Sequence, residues 1–166
     1  MKIKGRPSTC RLIVLLALAL FGPTLQGVNG QEREASAEQQ RQVRVYFPRD
    51  GNPHPRDPFN LQFVVRNVAA SAPARPALES LLAGPTVTEK RRRLRALDAA
   101  GLKVGSLVIG NGTARVDFVS RGGKRWAGDL SPAEFRRAVE RTLKQFSTVR
   151  RVTVSVDGRT DFDSSR

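Results

Sequence analysis

Apolar residues from position 43 onward follow two periods. Val43, Val45 and Phe47 alternate with Arg44 and Tyr46, the two-residue repeat of a strand with one buried face, and Pro48 ends it. Past a proline-rich loop, Arg49 to Pro58, the stretch Leu61 to Val68 predicts a second strand with Leu61, Phe63 and Val65 on one side. Pro73 and Pro76 then open a helix in which Ala77, Leu78, Leu81 and Leu82 recur at helical spacing, and Gly84-Pro85 stops it. A cap at Thr86 with Glu89, or at Thr88, begins a second short helical piece to about Leu97. Two strands follow, Val104 to Ile109 and Thr113 to Val119, joined by a hairpin turn at Asn111-Gly112.

Ser131-Pro132-Ala133-Glu134 reads as a capping box with proline in the first turn, and Phe135, Ala138, Val139, Leu143 and Phe146 give its helix an apolar stripe to about Ser147. A last strand alternates Val152, Val154 and Val156 with polar residues and ends at Asp157-Gly158. The order is ββα(α)ββαβ. It predicts a single small α+β domain over residues 42–158, with a mostly antiparallel or mixed sheet covered by helices and a polar, disordered tail at 159–166.

The N-terminus carries an address. Lys2, Lys4, Arg6 and Arg11 precede ten unbroken apolar residues, Leu12 to Phe21, the order of a secretory signal. As a helix that run spans about 15 Å, half of a roughly 30 Å hydrocarbon layer, so a stable transmembrane span is not expected. Small residues place signal cleavage between Gly30 and Gln31, with Gly27 as second choice, and residues 31–41 form a polar tether. The chain is therefore expected to be exported: secreted, periplasmic or otherwise extracytoplasmic and envelope-associated. Cys10 precedes the apolar run, whereas a lipoprotein cysteine follows it.

Charge and composition then narrow the chemistry. The chain has 166 residues and a net charge of +14; without residues 1–30, which hold four basic and no acidic residues, it stays strongly basic. One cysteine and one histidine, His54 in a proline-bracketed loop, exclude a disulfide framework and leave histidine catalysis little support. Asp117 and Asp129 are the remaining pair to weigh for acid–base work, but one belongs to a hairpin strand and the other precedes a helix. No spacing of acids resembles a calcium loop. No enzyme, metal or cofactor is expected.

Two basic clusters are the candidate contact surfaces. Arg121, Lys124, Arg125 and Trp126 share a glycine-rich loop that combines cations with an aromatic platform; Trp126 packing on the following helix is the bland alternative. Lys90, Arg91, Arg92 and Arg93 are four consecutive cations. Export places them before anionic cell-wall or membrane polymers rather than nucleic acid, and few aromatics are interleaved for base stacking.

Four ordered motifs carry a family resemblance: Ala77-Leu78-Glu79-Ser80-Leu81-Leu82-Ala83-Gly84-Pro85-Thr86, Asn111-Gly112-Thr113-Ala114-Arg115-Val116-Asp117-Phe118, Thr142-Leu143-Lys144-Gln145-Phe146 and Val152-Thr153-Val154-Ser155-Val156-Asp157-Gly158. Together they resemble the GerMN domain, named for a sporulation and spore germination protein, over about residues 42–158. The resemblance implies a small exported module of bacterial envelope proteins with no established catalytic residues. It also implies a role in envelope assembly, through a protein partner or self-association. The chain departs from the tandem arrangement in holding one copy, lacks the usual lipoprotein cysteine, and is more basic over Lys90 to Arg95.

Overall fold

The computed structural model describes residues 40–53, 55–126, 128 and 130–163. The signal segment 1–30, the tether as far as Gln39, His54, Asp129 and residues 164–166 lie outside the described residues. Strands β1 (Gln40–Pro48) and β2 (Leu61–Ala69) lead into helices α1 (Ala74–Ala83) and α2 (Val87–Arg91), then β3 (Leu102–Gly110), β4 (Thr113–Ser120), α3 (Ser131–Lys144) and β5 (Arg151–Val156). This is an α+β domain in the predicted order. The strands form two sheets rather than one: an antiparallel β1–β2 pair, and β3–β4–β5 with β3–β4 antiparallel and β4–β5 parallel.

The helices fill the space between them. Helix α1 packs on β1, β2 and β3, and α3 packs on β1, β5 and α1. Val43, Val45 and Phe47 of β1 meet Ala77, Leu78 and Leu81 of α1, Val116 and Phe118 of β4, and Phe135, Val139 and Leu143 of α3 in one buried cluster. The turn between β3 and β4 puts Asn111 at φ +50° and Gly112 at φ +74°, the left-handed pair that a two-residue hairpin needs. Gly105 sits at a bulge in β3, where a Cβ would stand 2.9 Å from Val119 Cγ1, and the Arg75 guanidinium donates to the carbonyls of Val104 and Gly105 at 3.0 and 3.1 Å.

Five further expectations are corrected. Strand β1 begins at Gln40, inside the predicted tether, because β2 runs on to Ala69 and offers Gln40 and Arg41 backbone partners at Ala69 and Val68. In β2 the register Val45↔Val64 puts Val64, with Val68, on the core side, so Phe63 and Val65 face outward, each 50% exposed. A one-residue change of parity exchanges the two faces of a strand, and the run Phe63-Val64-Val65 is apolar on both.

Helix α2 stops at Arg91 rather than near Leu97. Its cap is the predicted one: Glu89 N–H donates to Thr86 Oγ1 at 3.4 Å and Thr86 N–H to Glu89 Oε2 at 2.8 Å. It ends because the chain turns left-handed at Arg93, φ +65°, and pairs with the end of β1: Asp50 N–H donates to the Arg93 carbonyl and Arg95 N–H to the Pro48 carbonyl, both at 2.9 Å. The capping box expected at Ser131 and Glu134 does not form. Leu130 stands at the cap position without a side-chain bond, and Glu134 is buried against the Arg95 guanidinium instead.

The segment from 159 is not a free tail as far as Asp163. Phe162 packs against the core cluster, stacked at 5.7 Å on Trp126 and at 6.3 Å from Phe135. Arg136 lies 4.5 Å from the Phe162 ring and pairs with Asp163.

Candidate functional site

Helix α3 decides which edge of the β1–β2 hairpin is open. Arg44 N–H donates to Gln145 Oε1 and Gln145 Nε2 donates back to the Arg44 carbonyl, both at 2.7 Å, while Tyr46 N–H reaches Thr142 Oγ1 at 3.4 Å. The backbone groups of Arg44 and Tyr46 therefore point away from β2. In an antiparallel pair, residues directly opposite share that orientation. Phe63 and Val65, opposite Tyr46 and Arg44, thus aim their N–H and C=O groups away from β1, along the far edge of β2. Among the described residues that edge has no strand neighbour; at its start Leu61 N–H donates to Asp57 Oδ2 at 3.1 Å and the Leu61 carbonyl accepts from Arg141 Nη1 at 3.3 Å, and farther along the Val65 carbonyl has a 3.4 Å contact from Arg66 Nη1.

A shallow groove of about 630 Å³ beside this strand is lined by Phe63 and Val65 together with Arg49, Arg91, Arg92 and Arg93. Its acid, Glu89, is already committed: Arg66 Nη1 and Nη2 hold the two carboxylate oxygens at 2.6 and 2.7 Å. That grip, aided by the Thr86 backbone and hydroxyl and opposed by desolvation, lowers the Glu89 carboxyl to about 2 and raises the Arg66 guanidinium in turn. Arg49, Arg91, Arg92 and Arg93 have no acidic partner among the described residues and are exposed. The groove thus combines four free cations with two half-exposed apolar side chains. On the outer face, the Arg44 guanidinium lies 4.9 Å from the Phe63 ring.

The glycine-rich loop is a different kind of place. Lys124 Nζ stands 2.6 Å from Asp98 Oδ1 and 5.0 Å from the Trp126 ring, and its side chain is only 7% exposed, so it is not a free cation. Trp126 lies 5.6 Å from Phe135 and stacks on Phe162, which is the packing alternative. Arg121 and Arg125 remain exposed. The two sequence clusters are consequently not joined into one site, and only Arg91 to Arg93 border the groove; Lys90 is exposed outside it.

Of the two candidate acids, Asp129 lies outside the described residues, and Asp117, like Asp157 at the end of β5, has structural partners. Asp117 accepts from Ser155 Oγ at 2.5 Å and from Gly158 N–H at 3.0 Å, tying β4 to the end of β5. Asp157 accepts from the Ser120 hydroxyl at 2.7 Å and its N–H at 2.8 Å, and those bonds hold its carboxyl below the ordinary range. Among the described residues no group of three or more His, Cys, Asp and Glu is placed to hold a metal ion, and no helix is long and apolar enough to cross a membrane.

Sequence reasoning missed Phe63, Val65 and Arg49. Two apolar residues of one parity were visible, but which parity faces the core depends on β1.

Comparison with known proteins points the same way as the motifs. No curated protein matches the chain by sequence. Among solved structures, the tandem GerMN domains of the sporulation protein GerM from Bacillus subtilis align with TM-score 0.53 and 17% identity, over 74% of this chain and 40% of that one. The first GerMN domain of the same protein aligns with TM-score 0.50 and 23% identity, over 72% of this chain and 84% of that one. This chain therefore spans well under half of the tandem structure and most of the single domain, and at such identities the likeness concerns the fold. Residues 44–161 match the family model Germane, described as sporulation and spore germination, and with most of the chain inside that match the protein belongs to this family.

Proposed function

We propose that the protein is an exported, non-catalytic module of the bacterial cell envelope that acts by binding another protein in an assembly or scaffold. The observation that carries this reading is the open edge of β2, where Phe63 and Val65 stay half exposed beside four arginines that have no acidic partner among the described residues, while Thr142 and Gln145 close the opposite edge of the hairpin. An unpaired strand is a template for backbone pairing, and proteins ordinarily cover or blunt such edges. Membership of a family described by sporulation and germination, together with the basic-then-apolar N-terminus, supports an envelope setting.

Binding of anionic cell-wall or membrane polymers is the competing reading. It draws on Arg91 to Arg93 and on the exposed Arg121 and Arg125, and is weakened by the pairing of Lys124 with Asp98. Light scattering on the purified chain, crosslinking in envelope extracts and pelleting with purified sacculi separate the two. A discrete crosslinked complex or self-association is expected. A strict monomer without crosslinked partner, with pelleting that falls steeply with salt, would transfer the function to polymer binding.

A further inference from the structure

We infer that the groove beside β2 receives an extended acidic segment of a partner protein, which adds to the hairpin as a third strand by pairing with the backbone groups of Phe63 and Val65 that no neighbouring strand engages. The inference deepens the protein-binding reading and rests on it. Its first support is the edge itself: two successive outward-facing residues offer N–H and C=O groups in the spacing that an antiparallel or parallel strand would engage. Its second is charge. Glu89 is neutralised by Arg66, so Arg49, Arg91, Arg92 and Arg93 present uncompensated positive charge along the groove.

The backbone at Arg93 adds a third. Its φ of +65° is one that glycine adopts without strain, yet the position holds an arginine, which adds a cationic residue to the groove lining. A second copy of this chain is disfavoured as occupant, because it would bring the same cations against one another. The pleat also fixes the sequence pattern of the occupant. Side chains of an added strand alternate between the face of Phe63 and Val65, which asks for apolar residues, and the face of Arg91 to Arg93, which asks for carboxylates.

The test uses a fluorescein-labelled octapeptide of alternating valine and glutamate, titrated into the isotope-labelled protein at low salt and followed by anisotropy and amide NMR. Saturable binding is expected, with the amide signals of Phe63 and Val65 shifted and protected. N-methylation of alternate peptide nitrogens on the pairing side leaves charge unchanged and should weaken binding about tenfold or more, as should Arg91→Ala, Arg92→Ala and Arg93→Ala combined. Equal affinity for the N-methylated peptide or for polyglutamate would overturn the proposal in favour of a diffuse polyanion surface. Absence of binding, or shifts confined to other strands, would overturn it outright.

A photo-crosslinking residue placed at position 63 or, as control, at Val108 on β3 of the full chain in its native cells separates this failure from that of the wider reading. Crosslinks to a protein from 63 and not from 108 are the expected result. The reverse pattern keeps a protein partner and removes this groove, and none at either position counts against both.

Discussion

Replacing Glu89 with glutamine tests how much the Arg66–Glu89–Thr86 network contributes to holding α2 over the hairpin. The substitution keeps the side-chain volume and removes the charge that Arg66 grips through two bonds of 2.6 and 2.7 Å. The carboxyl falls from an ordinary 4.5 to about 2 in the folded protein, chiefly because of the Arg66 bonds. At about 1.4 kcal/mol per tenfold change in proton affinity, that gap sets a ceiling of roughly 3 kcal/mol. Arg66 and Glu89 retain 20% and 14% side-chain exposure at a groove rim, so solvent screening reduces the expected loss to about 1–2 kcal/mol.

The sign follows from the direction of the shift. A carboxyl lowered on folding stabilises above its unfolded value and loses that contribution as pH falls from about 4.5 toward 2. Urea unfolding of the parent and Glu89→Gln at several pH values between 7 and 2.5 reads it directly. The parent should be more stable by about 1–2 kcal/mol at pH 7, and the difference should shrink progressively below pH 4.5. A difference that stays constant across this range would refute the charge argument and assign the loss to packing or hydrogen bonding. No difference at pH 7 would refute the contribution of the pair altogether.

Two further outcomes bear on the loop and the C-terminal segment. Trp126→Ala should destabilise the fold by about 2–3 kcal/mol, less than a fully buried tryptophan because the ring is only partly enclosed by Phe135 and Phe162, while Arg125→Ala should leave the thermal melt unchanged; an unchanged melt for Trp126→Ala would return it to the candidate contact residues. Truncation after Gly158 should cost about 2 kcal/mol by removing Phe162 and the Asp163 partner of Arg136, and chemical denaturation that fails to distinguish it from the full chain would show that segment to be a dispensable tail.

Local chemistry made the element order readable in advance. Asn111-Gly112 specifies a tight hairpin through its backbone conformations, Gly84-Pro85 stops a helix, Thr86 and Glu89 cap one, and the alternation in β1 and the stripe in α3 fix which residues those elements bury; each is decided by neighbours a few positions away. The family motifs are built of such signals, which is why the resemblance could be stated from residues alone. What the sequence left open depends on partners far along the chain. The inward face of β2 is set by its register with β1, and the open edge by Thr142 and Gln145, which lie 96 and 101 positions from the backbone groups they satisfy. Glu134 reads as a helix cap until Arg95 approaches it across 39 positions, and Lys124 reads as a free cation until Asp98 does. Charge and apolar pattern can be counted along a sequence; which charges remain free, and which strand edge remains unpaired, is settled only when distant groups compete for the same hydrogen bonds and ion pairs in the folded chain.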